Sequence, residues 1–338
     1  MQRVESHPLY FVAADPSPQE IQSVQRLHLN LRYSPPLGPP FSILFLEDES
    51  VILSDELNHR LLRFDPQGEL IWQLGGKGNS LGKFWYPRGM ALAGSELYVC
   101  DSWNHRIQVI NLGAHPLRSI GSSESNGLIF DECSDVRVDS KGQLWAVDTG
   151  NHCLKVLSPT GDLLHTIGRR LSKAEEKALQ LSPESGLDLH TRPGFCYPRR
   201  FLTQYPFGFC LEDRGNDRIL LFADDGLLYA ELDTEGGQVV FSHAAFSQSW
   251  DYPAHLPIAY LLQKRHCLEV FNWQGAAFFE TPVARFSEVQ SELVQEDGGR
   301  NGCLLIHTFD WMNQDIVKYK ILIPSPAGTE SGIQEAVQ

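Results

Sequence analysis

Basic residues are in short supply: 28 lysines and arginines face 42 aspartates and glutamates, a net charge of −14 over 338 residues. That balance argues against a nucleic-acid backbone or an anionic membrane as the main partner, while leaving room for a local basic patch. Long apolar runs are missing too. The N-terminal MQRVESHPLYFVAADPSPQE holds an apolar run of only five or six residues and an early glutamate. That is too short for a signal-peptide core, and no other stretch approaches a membrane span. No CxxC pair occurs, and the seven cysteines are scattered, most of them inside apolar runs (Cys100, Cys153, Cys210, Cys267, Cys303). Such spacing speaks against a disulfide framework and for reduced, buried thiols in a cytoplasmic protein. A nucleophile elbow, an HExxH pair, a P-loop and a Rossmann fingerprint are all absent, so the common enzyme signatures are missing.

What the chain has is repetition. Residues 101–110 read DSWNHRIQVI, 55–64 DELNHRLLRF, 148–157 DTGNHCLKVL and 213–222 DRGNDRILLF. Two worn copies follow, LQKRHCLEVF at 262–271 and DWMNQDIVKY at 310–319. The asparagine column runs Asn58, Asn104, Asn151, Asn216, then Arg265 as the exception, then Asn313, at intervals of 46, 47, 65, 49 and 48 residues. A period in the forties built only of short strands is the mark of a propeller with one blade per repeat. The fold class is therefore all-β, and six copies predict a six-bladed β-propeller of four-stranded blades. Gly 28 and Pro 20 supply the many turns such a chain needs.

In the second repeat the four strands, a to d from the channel outward, read as residues 87–92, 97–100, 107–110 and 117–120. The outer strand recurs as GELIWQLGG (68–76), GDLLHTIG (161–168), GLLYAEL (226–232) and GAAFFETPV (275–283), but no copy follows Asp310. Residues 24–31, VQRLHLNL, alternate as a strand and precede a Leu-Gly pair like the one after the first outer strand. The N-terminal strand is thus predicted to close the last blade, removing two exposed edges at once. The chain divides into an N-terminal segment (1–23), the propeller (24–323) and a polar tail (324–338) expected to be disordered. The long interval places an insertion at 169–196 between blades three and four, where the capping box Ser172-Lys173-Ala174-Glu175 opens a short helix.

The D-x-x-N-H-R-I-Q-V core, with Tyr86-Pro87-Arg88-Gly89 before it and a glycine-closed strand after it, resembles the NHL repeat over about residues 24–323. The resemblance implies a propeller but no single function. NHL-type propellers include RNA-binding, protein-interaction and sensor domains, and similar propellers include a peptide-amidating lyase and streptogramin lyases. On chemistry alone the repeated residues are structural: short polar side chains bonding the b–c turn, with Arg106 reaching a neighbouring carbonyl or carboxylate. His59, His105 and His152 fall one per blade and are expected too far apart for one metal site.

Candidate site residues are the non-repeated ones at the channel mouth, where strand a begins. Counting back from each motif aspartate gives Phe41, Arg88, Ser134 and Arg199, with Arg200 beside the last and His243 and His255 near the fifth blade. The amidating-lyase branch carries zinc-binding histidines at this position. Arg88, Ser134 and Arg199 are poor zinc ligands, so neither metal nor cofactor is expected. Residues 169–200 hold seven basic and four acidic side chains, a positive cap of net +3 on a chain otherwise −17. The expected role is docking of a protein or peptide partner on the mouth face, with no nucleic acid and no membrane. The alternative is an enzyme or binder holding an anionic small molecule at Arg88 and Arg199.

Overall fold

The computed structural model describes residues 21–30, 35–38, 40–121, 128–169, 194–205, 208–223, 226, 228–233, 239–241, 257–262, 267–272, 277–282, 286–296, 301–310 and 313–324. The architecture is an all-β propeller. After β1 (Ile21–His28), the first blade is β2 (Ile43–Phe45), β3 (Val51–Asp55), β4 (Arg60–Phe64) and β5 (Leu70–Gly75). The second is β6 (Pro87–Ala93), β7 (Glu96–Asp101), β8 (Arg106–Asn111) and β9 (Pro116–Ile120). The third is β10 (Cys133–Val138), β11 (Leu144–Asp148), β12 (Cys153–Leu157) and β13 (Leu163–Ile167). The fourth blade runs β14 (Pro198–Tyr205), β15 (Gly208–Asp213), β16 (Arg218–Ala223) and β17 (Leu228–Asp233), extended by β18 (Val239–Phe241). A three-stranded sheet follows, β19 (Pro257–Leu262), β20 (Cys267–Asn272) and β21 (Ala277–Pro282). The last strands are β22 (Phe286–Glu296), β23 (Asn301–Asp310) and β24 (Asp315–Pro324). β22 joins β14 through a short parallel pairing, Thr203 with Ser291 and Gln204 with Glu292. Among the described residues no helix is long and apolar enough to cross a membrane.

The strands form where β-branched, aliphatic and aromatic residues alternate with turn residues, and the middle strands are buried on both faces because blades stack. Each apolar cluster lies between neighbours. Ile52, Leu61, Phe84 and Val99 join blades one and two. Cys100, Ile107, Phe130 and Ala146 join two and three, and Trp145, Leu154, Phe209 and Phe222 join three and four. A fourth cluster brings Phe309 and Ile316 against Ile43, Val51 and Phe64, so the C-terminal strands pack on blade one. Two glycines have steric duties. A Cβ on Gly89 would sit 1.9 Å from Asp135 Oδ1, where the inner strand of blade two passes that carboxylate. Gly121 closes blade two at φ +83°, and a Cβ there would meet the Phe130 ring at 2.3 Å.

The N-terminal strand pairs antiparallel with β24 from Ile21 opposite Ile321 to His28 opposite Asp315, as the missing outer strand required. It ends three residues earlier than the alternation suggested. Leu29 turns instead into the core between blade one and the last strands, 2% exposed, with its N–H on the Gln314 carbonyl at 2.9 Å. Asn30 then donates to the Gly68 carbonyl at 2.8 Å in blade one. Deleting residues 1–33 is accordingly expected to abolish the cooperative melt or aggregate the protein, because β24 loses its outer partner and the core loses Leu29. A soluble deletion variant with an unchanged melting curve would contradict this. The expected helix at 172–180, with residues 170–193 of the insertion, lies outside the described residues.

Candidate functional site

The motif builds the face around the channel. Asp55, Asp101, Asp148 and Asp213 are fully buried, each at a b–c turn. Asp101 accepts from Asn104 Nδ2 (2.9 Å), Arg106 Nε (2.8 Å), Gln108 Nε2 (2.8 Å) and the Trp85 N–H (2.7 Å). Asp55 holds Asn58 and Arg60, and Asp213 holds Asn216, Arg218 and the Cys196 N–H. Asp148 pairs with Lys155, which stands where the other blades have a Gln or a hydrophobe. Each aspartate therefore ties a b–c turn to the segment entering its own strand a. Backbone bonds repeat the tie: Trp103 to Trp85, Gly150 to Asp131 and Gly215 to Cys196.

The histidine column has a role that spacing alone did not disclose. His59, His105 and His152 take left-handed φ near 55° and turn their rings toward the next blade. Their Nδ1 atoms accept the N–H of Tyr86 (3.1 Å), Glu132 (3.1 Å) and Tyr197 (3.2 Å). Those acceptor roles fix the Nε2–H tautomer. Gln314 stands in the same column of the last copy and accepts the Leu37 N–H at 3.3 Å. These spokes hold Tyr86, Glu132 and Tyr197 at positive φ, two residues before the mouth positions. Among the described residues no three His, Cys, Asp or Glu side chains converge as a metal set.

A β-bulge opens strand a in three blades. Pairing skips from Pro87 to Met90, from Cys133 to Asp135 and from Pro198 to Arg200. The bulge re-aims Arg88 and Arg199 out of the ladder. Both line one cavity of about 490 Å³ with Phe41, Glu56, Glu132, Thr149, Tyr197, Arg214 and Gly215. The two guanidinium carbons sit 5.8 and 5.7 Å from the Phe41 ring centre.

Arg88 is already engaged. Its Nε donates to Glu56 and its Nη1 to Glu132, both at 2.8 Å, so it clamps the loops of blades one and three onto blade two. Burial works against its charge, but the two carboxylates outweigh burial and raise its pKa above the ordinary arginine value. Ser134 is placed differently from a ligand contact: it is 1% exposed, and its hydroxyl donates to the Arg199 carbonyl at 2.6 Å. Thr149 Oγ1 lies 2.6 Å from Ser134 Oγ and 2.7 Å from the Pro198 oxygen, joining blades three and four. Arg200 points into the core, 6% exposed, with its Nε on Glu212 at 3.1 Å, and burial lowers its pKa. His243 and His255 lie outside the described residues. The lining residues not anticipated are Glu56, Glu132, Thr149, Tyr197, Arg214 and Gly215. A signal for three of them existed, since the residue after each motif aspartate varies (Glu56, Ser102, Thr149, Arg214) and three of these four line the cavity.

The NHL repeat family model matches residues 84–110 and 130–157, the second and third blades with their entering segments. Those two stretches match NHL repeats. The chain is 26% identical over 132 residues to Protein brain tumor of Drosophila melanogaster, covering 38% of this chain and 12% of the fly protein. The match thus spans a small part of that relative's length. In fold the chain is similar to virginiamycin B lyase from Staphylococcus aureus, with a TM-score of 0.51, 9% identity, and 88% and 98% of the two chains covered. It is similar as well to a gluconolactonase from Xanthomonas campestris, with a TM-score of 0.52, 13% identity, and 91% and 92% covered. At such identities the likeness is one of architecture, and the chemistry of those enzymes does not come with it.

Proposed function

We propose that this chain is a six-bladed ring in the cytoplasm that docks a protein or peptide partner on its mouth face. Support for six blades comes from the six motif copies, the β1–β24 pairing and the Gln314 spoke to Leu37. Among the described residues Cys100, Cys133, Cys153, Cys196 and Cys210 form no disulfide, which supports the compartment.

One observation carries the docking reading. Ten large apolar side chains are exposed among the described residues; five lie on outer strands and five on the mouth face. The mouth five are Leu57 (60%), Leu81 (45%), Trp103 (45%), Ile129 (68%) and Tyr197 (49%), from b–c turns and entering segments of four blades. Trp103 is further set in an aromatic group, 4.8 Å from Tyr86 and 5.4 Å from Trp85. Apolar groups ringing a cavity on one face are what a protein interface uses, with aromatics and arginine as anchors. Hydrogen exchange tests this. With the tightest peptide from a random dodecapeptide display library bound, protection is expected at residues 56–59, 102–105, 128–132 and 214–217. Protection confined to the outer strands β5, β9 and β13 would sink the proposal.

A further inference from the structure

The mouth of blade two is built differently from its neighbours. Two residues after the motif aspartate, blades three and four carry Gly150 and Gly215, where a Cβ would come within 2.5 Å of Asp131 and 2.6 Å of Cys196. Blade two has Trp103 there, carried outward on the 3-10 turn Ser102–Asn104 and 45% exposed. Its ring centre lies 5.4 Å from Trp85 and 4.8 Å from Tyr86, at interplanar angles of 55° and 51°, so the three rings make a corrugated shelf. The shelf is held from below. The backbone N–H of Trp85 is on Asp101, that of Trp103 is on the Trp85 carbonyl, and the His59 ring meets Tyr86 edge-on at 4.7 Å. The described tryptophans divide by their indole N–H groups. Trp72 donates to the Leu112 carbonyl and Trp145 to Asp139, both at 3.0 Å. The indole N–H groups of Trp85 and Trp103 have no acceptor among the described residues. Two exposed lysines flank the same segment, Lys77 with its Nζ 4.7 Å above the Trp85 ring and Lys83 with its Nζ on the Gly75 carbonyl. Neither meets a carboxylate among the described residues.

We propose, resting on the docking reading above, that this shelf takes a proline-rich segment of the partner in the extended polyproline II form, with an acidic residue at its flank. Such a segment has apolar pyrrolidine rings that lie on aromatic faces, and carbonyls that no internal hydrogen bond occupies. Trp85 and Trp103 supply the matching donors, and the tilted rings supply notches for the pyrrolidines. Segment and shelf are both stiff before they meet, so little ordering entropy opposes binding. Charge selects the flank: in a chain of net −14, two lysines without a carboxylate partner favour an Asp or Glu in the ligand over a Lys or Arg. The same charge argues against a methylated ammonium, another ligand that an aromatic cluster can hold, because Lys77 already stands over the Trp85 ring. Single-stranded nucleic acid is also the poorer fit, since it needs a track of cations and this is one shelf on an acidic chain.

The test uses the full chain, the peptides selected on it from the random dodecapeptide library, and a synthetic probe, acetyl-Glu-Glu-Pro-Pro-Leu-Pro-Pro-Leu-Pro-amide. Selected peptides are expected to carry prolines and to compete with the probe, and replacing the prolines of either with alanine should weaken binding about ten- to hundred-fold. Trp103→Ala should lose a similar factor. Trp103→Phe, which keeps a ring and removes the N–H, should lose up to about ten-fold. Lys77→Glu/Lys83→Glu changes two exposed residues, so its melt should be unchanged while its preference turns from the glutamate-flanked probe to a lysine-flanked one. Selected peptides that bind the mouth without proline, together with a probe that does not bind, would overturn the shelf and leave the docking reading standing. Probe binding undiminished in Trp103→Ala would overturn the assignment to this shelf. Failure of both library and probe to bind would overturn the docking reading as well. Tighter binding of a trimethyl-lysine peptide or of a single-stranded oligouridine, lost in Trp103→Ala, would overturn proline as the occupant.

Discussion

Replacing Asp101 with alanine is expected to destabilise the protein by about 3–5 kcal/mol, the loss typical of breaking a buried ion pair from one side. The carboxylate is fully buried, and Arg106 Nε, Asn104 Nδ2, Gln108 Nε2 and the Trp85 N–H all converge on it. Removing it strands a nearly buried guanidinium and three neutral donors with no water to replace the acceptor. Asp101→Asn should be almost as damaging, since an amide restores shape but neither the charge nor the second acceptor. The comparison is Asp48→Ala. Asp48 also pairs with an arginine, Arg63 at 2.6 Å, but its side chain is 59% exposed, and loss of at most about 1 kcal/mol is expected. Urea unfolding of the three variants checks the ranking. Equal effects for Asp101 and Asp48 would show that the motif is not the structural tie described above.

Stability should also fall as pH rises from about 4 to 7, and Asp135 is the reason. This inner-strand carboxylate is buried, and burial pushes its pKa up to about 7 against the opposing pull of the Phe201 and Val136 N–H groups and of Arg200 and Arg137. The folded protein therefore keeps a proton that the unfolded chain releases near pH 4. The favourable contribution is complete below that pH and is lost as pH climbs through 7, at about 1.4 kcal/mol per pH unit, or about 4 kcal/mol in all. Asp135→Asn removes the titration. It also costs one acceptor, because Val136 donates to Oδ1 at 2.9 Å and Phe201 to Oδ2 at 2.8 Å, but that cost is the same at every pH. The stability difference between wild type and variant should thus shift in the variant's favour from pH 4 to pH 7 and then level off. A difference that stays flat across that range would contradict the buried, protonated Asp135.

What could be read without coordinates was whatever the chain repeats. The Asp101 motif names its own turn, and the missing outer strand after Asp310 points to residues 24–31 because an unpaired edge has to be covered. Counting from the motif aspartate also reached Arg88 and Arg199 at the mouth. It could not say that Arg88 is held by Glu56 and Glu132, since those carboxylates lie 32 and 44 residues away and meet only when three blades stand side by side. Ser134 shares the mouth register and Arg200 stands one residue past it, yet the bulge that turns Arg199 outward returns Arg200 to the ladder opposite Glu212, and the Ser134 hydroxyl is consumed by the Arg199 carbonyl. The spoke histidines were visible as a column, but their purpose depends on the left-handed backbone at His59, His105 and His152, which a histidine does not announce.

The most direct measurement is a comparison of two surface variants in binding the same selected dodecapeptide. Leu57→Asp/Trp103→Asp/Tyr197→Asp places charge on the mouth face, and Ile71→Asp/Leu117→Asp/Leu164→Asp places it on the outer strands, all six residues being exposed. Thermal melts confirm that both variants are folded. The mouth variant should lose at least about a hundred-fold in affinity, as three interface anchors each worth about 1 kcal/mol or more imply, while the outer-strand variant binds like the parent. Undiminished binding by the mouth variant, with loss in the outer-strand variant, would contradict the account.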